Sequence, residues 1–283
     1  MAPPPSPDLP LTERVLALAK TLQFAWFSGH LVLILCIIRY GFSYLTWNSY
    51  SGMARFTYRL SFISAALTYG IVVYKTWRAR QKVGAKFPTS PIGLLADENV
   101  QYLAMALIWL FSPQYPLALL PYAVYSIFHV ATYTRGNVIP TIQPARAPGA
   151  GSGSAPKPPA NPLADALGAF VKNYYDFSMS IVALLEISLW GRILLSALFF
   201  RKGSWIILAA YTAFLRTRYA QSTHVQGTFR ELVVRLDSTI GAQGIPPAVR
   251  STWETIKGVV AQFHDATDLS KYNKSSAAPK KSS

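Results

Sequence analysis

Long apolar runs without charge, separated by polar stretches that hold the Lys and Arg residues, make up most of the chain before its C-terminal third. Residues 21–38 contain no Asp, Glu, Lys or Arg, and a helix of this length rises about 27 Å, close to the hydrocarbon thickness of a bilayer. Residues 60–74 form a second run, which reaches spanning length as 56–77 if Arg59 extends its head to the interface. The pattern predicts membrane helices, and the length disfavours the alternative of buried helices in a soluble protein.

A third run predicts a hairpin with unequal arms. Residues 99–134 carry no formal charge, and a single straight helix of that length would be too long for one crossing. Pro113 and Pro116 interrupt the run, so it is expected to fold back on itself. The first arm, 100–111, is short enough to enter one leaflet without crossing both.

A fourth run, 177–200, contains two charged residues and is followed by the shorter run 204–215. Glu186 and Arg192 lie inside the predicted span, where charge is costly and is often functional. The alternative is that each faces a neighbouring helix. Six positions apart, they do not share a helical face, so we do not expect them to pair with each other.

From residue 225 the apolar positions recur three and four apart, which is typical of amphipathic helices. Pro246 and Pro247 divide the pattern into two helices. These helices could bury their apolar stripes against each other as a small soluble bundle, or lie on a membrane surface. We favour the membrane surface, because little chain is available to cover both stripes. The predicted membrane-binding residues are Phe229, Leu232, Val233, Leu236, Trp253, Ile256, Val260 and Phe263.

The charge distribution supports a membrane protein with basic cytosolic segments. The chain is 51% hydrophobic with mean hydropathy +0.24, yet its formal net charge is +15. Nucleic-acid-binding proteins usually mix their charges along the sequence, whereas here the basic residues lie in the connecting segments, so no nucleic-acid partner is expected. Three hairpins with both termini in the cytosol place 21 of the 27 Lys and Arg residues on the cytosolic side.

The predicted fold is all-α: a polytopic membrane protein of helical hairpins with C-terminal amphipathic helices. The Pro/Gly/Ser-rich linker has too little apolar content to fold by itself. The predicted segments are an N-terminal cytosolic segment (1–20), two hydrophobic hairpins (21–135), a disordered linker (136–172), a third hairpin (173–216), amphipathic basic helices (217–268) and a disordered Lys-rich tail (269–283).

The sequence lacks the usual signatures of catalysis. Cys36 is the single cysteine, so neither an intramolecular disulfide nor a cysteine zinc cluster is possible. No acyltransferase His-x4-Asp pattern, Gly-x-Ser-x-Gly elbow, His-Glu-x-x-His helix or Walker loop occurs. We therefore expect no enzyme activity, no cofactor and no metal. A transporter or a lipid-modifying enzyme remains the alternative, with Glu186 and Arg192 as its polar groups.

Several short segments resemble the transmembrane protein thirty-three family, which includes fungal pore-membrane nucleoporins. They are Phe128 to Thr134 (with His129, Thr132 and Tyr133), Asp97-Glu98 leading to Tyr102, Tyr175 to Ser178 leading to Glu186, and Arg218-Tyr219. The resemblance implies a non-enzymatic protein of the endoplasmic reticulum membrane and nuclear envelope, with the nuclear pore as a further expected location. It further implies a role in membrane shaping and in the assembly or distribution of nuclear pores. The expected partners are membrane lipids, reticulon-type membrane proteins and nuclear pore components.

The last four residues match a retrieval signal for the endoplasmic reticulum. Lys280 and Lys281 occupy the fourth and third positions from the end, the positions of a dilysine signal on a cytosolic tail. Lys-rich tails also arise by chance, but the charge asymmetry independently predicts that this tail is cytosolic.

Overall fold

The computed structural model describes residues 8–83, 96–144 and 161–267, together with 6 and 93. Every regular element within these residues is helical, which confirms the predicted all-α class. The chain divides into two compact units, Met1–Gln226 and Gly227–Ser283, and each is described by itself.

The helices follow the order in which the apolar runs occur. A 3₁₀ turn, Pro116–Ala118, precedes the helix Leu119–Tyr133, and a π-helical turn, Thr134–Val138, connects that helix to the short helix Ile139–Ile142. The helices are α1 (Leu11–Ala19), α2 (Leu22–Leu45), α3 (Gly52–Lys82), α4 (Glu98–Phe111), α5 (Leu119–Tyr133), α6 (Ile139–Ile142), α7 (Pro162–Leu198), α8 (Ser204–Gln221), α9 (Thr223–Gly241) and α10 (Pro247–Ala266).

Polar residues cap the N-termini of the long helices and set where they begin. Thr21 Oγ1 accepts a hydrogen bond from the Phe24 amide at 3.1 Å, and Ser51 Oγ caps α3 in the same way. Asn161 Oδ1 accepts from two amides of α7, whose first residue is Pro162. A side-chain acceptor at the cap and a proline at the first helical position are both favourable helix starts.

Four helical segments among the described residues are long and apolar enough to cross a membrane: Leu22–Leu45, Gly52–Lys82, Pro116–Ile142 and Pro162–Leu198. The other two arms are shorter, since α4 has 14 residues and α8 has 18. At 1.5 Å per residue α4 rises only about 21 Å. The fold is therefore a polytopic membrane protein of helical hairpins. The second hairpin combines the short α4 with the long segment Pro116–Ile142, and the third combines the long α7 with the shorter α8, which are the unequal arms that the sequence predicts.

The first unit is built around α3, which packs between α2 and α4, while α5 links α2 to α7. Aromatic side chains fill the centre, among them the fully buried Tyr58, Phe62 and Trp109. The α2–α3 crossing is close at Gly29, where an added Cβ would lie 2.5 Å from Thr68 Cγ2. Glycine at this position allows the two helices to approach each other.

Several predicted boundaries differ from the structure. The predicted linker, 136–172, is helical at both ends, because α6 continues to Ile142 and α7 begins at Pro162; residues 145–160 lie outside the described residues. The Asn161 cap makes this early start of α7 favourable. The third hairpin therefore occupies 162–221 instead of 173–216. The N-terminal segment contains α1, whose buried Arg14 donates to the Thr141 carbonyl at 2.7 Å.

Candidate functional site

The C-terminal unit contains a helical hairpin formed by α9 and α10. The turn between them uses Gly244 at φ 96°, a left-handed conformation that glycine adopts without steric cost. Two contacts to Asp237 Oδ1 join the helices: the Trp253 indole donates at 2.6 Å and the Lys257 ammonium at 2.9 Å. Arg250 also donates to the Ala242 carbonyl at 3.0 Å. Polar contacts near the turn thus hold the two helices together.

The apolar stripes of this hairpin remain open. From Gly227 to Ala266 no residue is buried. An open groove of about 320 Å³, lined by Ile240, Val249 and Ile256 among others, lies between the helices. At 100° per residue, the large apolar positions of each helix, apart from the exposed Val234 of α9, fall within an arc of about 120°. Each helix therefore presents one continuous apolar face.

The eight predicted membrane-binding residues divide into two sets. Half-buried residues are Phe229, Leu232, Val233 and Trp253. Exposed residues are Leu236, Ile256, Val260 and Phe263, with Val260 the most exposed at 59%. The exposed set is apolar surface that a membrane or another protein could cover.

The hairpin itself is not basic. Residues 227–266 contain four basic residues (Arg230, Arg235, Arg250 and Lys257) and four acidic ones (Glu231, Asp237, Glu254 and Asp265), so their formal charges cancel. The basic excess of the C-terminal third lies elsewhere, in Arg216, Arg218 and the lysines after residue 267. Attraction of this hairpin to a membrane would therefore depend on apolar contact, and attraction to anionic lipid on the flanking residues.

A buried polar network joins four helices of the first unit, α4, α5, α7 and α8. Arg218 of α8 forms ion pairs with Glu98 of α4 at 2.6 Å and Glu186 of α7 at 3.4 Å. The Tyr102 hydroxyl donates to the other oxygen of Glu186, and Arg218 donates to the Tyr125 hydroxyl at 3.1 Å. Opposite charges and hydroxyl donors thus compensate a carboxylate whose side chain is 1% exposed.

This network connects helices and has little room for a substrate. The cavity beside Glu186 measures about 10 Å³, and its walls include Tyr102, Tyr122 and Tyr211. That volume admits about one water molecule. Within the described residues, no group of three or more His, Cys, Asp or Glu residues could hold a metal ion. The geometry suits a clamp between α4, α7 and α8.

Arg192 lies apart from this network, and the two intramembrane charges take different partners. The Arg192 side chain is exposed, and its Nη1 donates to Ser196 Oγ at 2.7 Å, one turn further along α7. Glu186 faces inward, to Arg218 and Tyr102. In the sequence, Glu98 and Arg218 stand out only as members of short motifs. Their positions in the sequence could have identified them. Glu98 directly precedes the uncharged run 99–134, and Arg218, of opposite charge, lies shortly after the run 204–215.

The motif from Phe128 to Thr134 packs α5 against α2. The His129 ring lies 4.7 Å from that of His30 and 4.9 Å from that of Trp26, and Tyr133 stacks on Phe27 with ring centroids 4.7 Å apart. Thr132 is exposed. The predicted retrieval residues Lys280 and Lys281 lie outside the described residues.

Comparisons with known proteins identify relatives over nearly the whole chain. The family model described as Transmembrane protein 33/Nucleoporin POM33 matches residues 11–265. The chain is 59% identical to Nucleoporin POM33 of Chaetomium thermophilum, covering 99% of both proteins. It is 29% identical to the Pore membrane protein of 33 kDa of Saccharomyces cerevisiae, over 89% of this chain and 87% of the relative. It is 30% identical to Tetra-spanning protein 1 of Schizosaccharomyces pombe, over 90% and 88%.

No solved structure matches the chain. The chain is also 24% identical to the Pore and endoplasmic reticulum protein of 33 kDa of Saccharomyces cerevisiae, over 90% of this chain and 94% of the relative. The names of these relatives confirm the predicted location in the membrane of the endoplasmic reticulum and the nuclear pore. The family is named for membrane proteins of the pore and not for a reaction. The chain belongs to the Transmembrane protein 33/Nucleoporin POM33 family.

Proposed function

We propose that this protein stabilises curved membrane in the nuclear envelope and endoplasmic reticulum, without catalysis, and thereby supports the assembly or distribution of nuclear pores. The observation that carries the proposal is the open apolar face of α9 and α10. An amphipathic helix that inserts at an interface expands one leaflet and so favours a curved surface. Each large side chain that becomes fully buried contributes roughly 1.5 to 3 kcal/mol to such binding.

The hairpins support the same proposal. A pair of arms of unequal length, such as the 14-residue α4 with the longer segment Pro116–Ile142, occupies more area in one leaflet than in the other. This asymmetry adds to the effect of the surface helices.

The proposed partners are membrane lipids, nuclear pore components and reticulon-type membrane proteins. Pore components are suggested by the names of the relatives, and reticulon-type proteins by what the family resemblance implies. Crosslinking of the full chain in native nuclear envelopes, followed by identification of the crosslinked proteins, tests both. If neither pore components nor reticulon-type proteins are recovered, the proposal that they are partners is wrong.

The membrane contact of the C-terminal hairpin can be tested in the full chain. In a Cys36→Ala background, an environment-sensitive probe is attached at Val260→Cys, on the apolar face of α10. Glu254→Cys, on the opposite face of the same helix, is the matched control. The proteins are reconstituted in vesicles of one composition and different radii. We expect the Val260 probe to shift to the blue and to be quenched by spin-labelled lipid, more strongly in smaller vesicles, while the Glu254 probe stays in water.

Equal water exposure of both probes in every vesicle would contradict the proposal for this hairpin. The hairpin would then be a protein-docking module, and any shaping activity would come from the membrane hairpins alone. Electron microscopy of the same samples separates the functions further, because tubulation supports membrane shaping. Solute uptake without tubulation would support the alternative of a transporter.

A further inference from the structure

Two of the three hairpin tips in the first unit carry the same local arrangement. In the tip between α2 and α3, Arg39, Ser43 and Trp47 follow one another at intervals of four residues. In the tip between α7 and α8, Arg192, Ser196 and Phe200 have the same spacing. In both, Nη1 of the arginine donates to the serine hydroxyl, at 2.5 Å and 2.7 Å.

The helix ends of these two tips also match. The Ser43 carbonyl accepts from the Asn48 amide at 2.8 Å, and the Ser196 carbonyl accepts from the Arg201 amide at 3.1 Å. In each tip the donor is the second residue after the C-cap, and its bond to a carbonyl in the last helical turn is characteristic of a Schellman motif. The residue before each donor is left-handed, with φ 58° at Trp47 and φ 50° at Phe200.

Glycine is the ordinary residue at a left-handed helix end, because a side chain there is strained. Both tips instead hold a large aromatic residue, and both rings point away from the protein: Trp47 is 96% exposed and Phe200 is 81% exposed. An aromatic ring at the polar–apolar boundary of a bilayer is favourable, which offsets the strain. The two tips are therefore built to place a ring in the membrane interface.

The third tip, between α4 and α5, is constructed differently. Its arginine comes from α3: Arg59 Nη1 donates to the Trp109 carbonyl at 2.9 Å and also to the Leu110 carbonyl. Arg59 is thus used to cap the end of α4. Arg39 and Arg192 are exposed, and among the described residues Ser43 and Ser196 are their hydrogen-bond partners.

All three tips lie at the same end of the unit. The Tyr40 hydroxyl near the end of α2 donates to Gln114 Oε1 in the third tip at 3.1 Å. The ring centroid of Trp109, near that tip, lies 5.7 Å from the ring centroid of Tyr211 in α8. Each arginine precedes the aromatic residue of its tip by eight positions, which correspond to at most about 12 Å of helical rise. Both guanidiniums therefore face lipid within about 12 Å of the tips, where an exposed cation reaches toward headgroups.

We infer that Arg39 and Arg192 form two equivalent sites, each binding the phosphodiester group of one phospholipid in the leaflet at the hairpin tips. The serine holds one edge of each guanidinium, so the remaining donors form a planar fork directed at the lipid. Arginine pairs with phosphate through such a fork, and it does so more strongly where water is sparse. Trp47 and Phe200 lie beside the same lipids at the interface.

Native mass spectrometry of the full chain in a phosphate-free maltoside detergent tests this inference. The protein is titrated with phosphatidylglycerol, and a neutral galactolipid with the same acyl chains is the lipid control. We expect Arg39→Gln and Arg192→Gln each to retain one phosphatidylglycerol fewer than the wild type, and the double variant two fewer. The protein control is Arg55→Gln, which removes the same charge from an exposed arginine at the same end of the unit. Among the described residues no serine hydroxyl holds this arginine, so the variant should retain the wild-type number of lipids.

Ser43→Ala and Ser196→Ala should weaken retention at the corresponding site while leaving the charge in place. If a glutamine variant does not fold, as judged by circular dichroism and gel filtration, the serine variants and Arg→Lys variants test the same geometry. Unchanged retention in the double glutamine variant or in both serine variants would overturn the inference. Displacement of the lipid by inorganic phosphate, or equal retention of the galactolipid, would overturn the assignment to a phospholipid headgroup.

Discussion

The Glu98–Arg218–Glu186 network shows how burial determines the energetic weight of a single residue. Glu186 has almost no contact with solvent, and Arg218 has a side chain only 6% exposed. Taking each of these charges out of water costs several kcal/mol. The buried pair is tolerated because the attraction between the two charges offsets this desolvation cost. Glu98 is 48% exposed and contributes from the edge of the network.

Removing both partners should therefore cost less than the two single removals added together. We expect Arg218→Gln to lower the free energy of unfolding by about 3 kcal/mol, because it leaves the Glu186 carboxylate buried without its cation. The double variant Glu186→Gln/Arg218→Gln should lose less than the sum of the single variants. Denaturant unfolding in detergent measures both. The control is Glu231→Gln, whose exposed pair with Arg235 should contribute at most about 1 kcal/mol. Additive effects at Glu186 and Arg218 would contradict the coupling.

The close crossing of α2 and α3 requires that residue 29 has no side chain. We expect Gly29→Ala to destabilise the protein by about 1 to 3 kcal/mol, because its Cβ would overlap Thr68 Cγ2. Thr68→Ser, which removes that methyl group and keeps the hydroxyl, should restore stability. Gly41→Ala is the control on the same helix: nothing lies within 4 Å of its Cβ position, so it should be neutral or stabilise by up to about 1 kcal/mol. Thermal unfolding in detergent distinguishes these outcomes, and equal effects at both glycines would disprove close packing at Gly29.

The joining of α9 to α10 should depend on pH. The indole N–H of Trp253, and then the Lys257 ammonium, hold the pKa of Asp237 below its ordinary value. The hydrogen bonds that the Lys257 ammonium donates to Asp237 and Glu254 raise the pKa of Lys257. A lowered carboxyl pKa stabilises the folded form above the unfolded value of about 4, and this contribution disappears as the pH falls through the folded value. The lysine contribution is complete below about pH 10.4 and disappears as the pH rises through the raised value.

The hairpin should accordingly be most tightly closed between about pH 4 and pH 10. Spin labels at Ser238→Cys and Ser251→Cys, in the Cys36→Ala background, report the separation of the two helices. We expect a broader distance distribution below about pH 4. Asp237→Asn should remove that acid transition, and a transition of unchanged size in this variant would assign it to another group.

At the scale of the whole molecule, the charge asymmetry predicts that both termini are cytosolic. Asn273-Lys274-Ser275 is a glycosylation acceptor in the C-terminal tail, outside the described residues. A cytosolic tail is not exposed to the glycosylation machinery, so Asn273 should carry no glycan in cells. Digestion with an endoglycosidase, followed by gel electrophoresis, provides the measurement. A shift in mobility that Asn273→Gln abolishes would overturn the three-hairpin topology.

The same topology is required for the predicted retrieval signal. Changing Lys280 and Lys281 to Ser should allow part of the protein to leave the endoplasmic reticulum and nuclear envelope, because a receptor would no longer recognise the tail. Fluorescence microscopy of tagged protein, with the tag at the N-terminus, measures this escape. Changing Lys271 and Lys274 to Ser removes the same charge and serves as the control. If the Lys280/Lys281 variant stays in place, retention comes from the membrane segments.

The sequence by itself determined the class of the protein and the position of its helices. A bilayer excludes charge and unpaired backbone groups, so apolar runs of spanning length are informative without any tertiary contact. Residues 21–38, whose first residue is the N-cap Thr21, therefore coincide with the first part of α2, residues 60–74 fall within α3, and Pro113 falls at the break between α4 and α5. The amphipathic period of α9 and α10 was equally visible, because it depends on helix geometry alone.

Only the tertiary structure decided which residues meet. Glu98, Glu186 and Arg218 are far apart in sequence and come together because α4, α7 and α8 pack at one end of the unit. The start of α7 at Pro162 was missed because a local cap outweighs the low apolar content of the preceding linker. The matched tips at Trp47 and Phe200 were also invisible, since a left-handed aromatic residue contradicts local preference and is stabilised by its surroundings. Local patterns determine elements, whereas pairing between distant elements depends on the free energy of the whole fold.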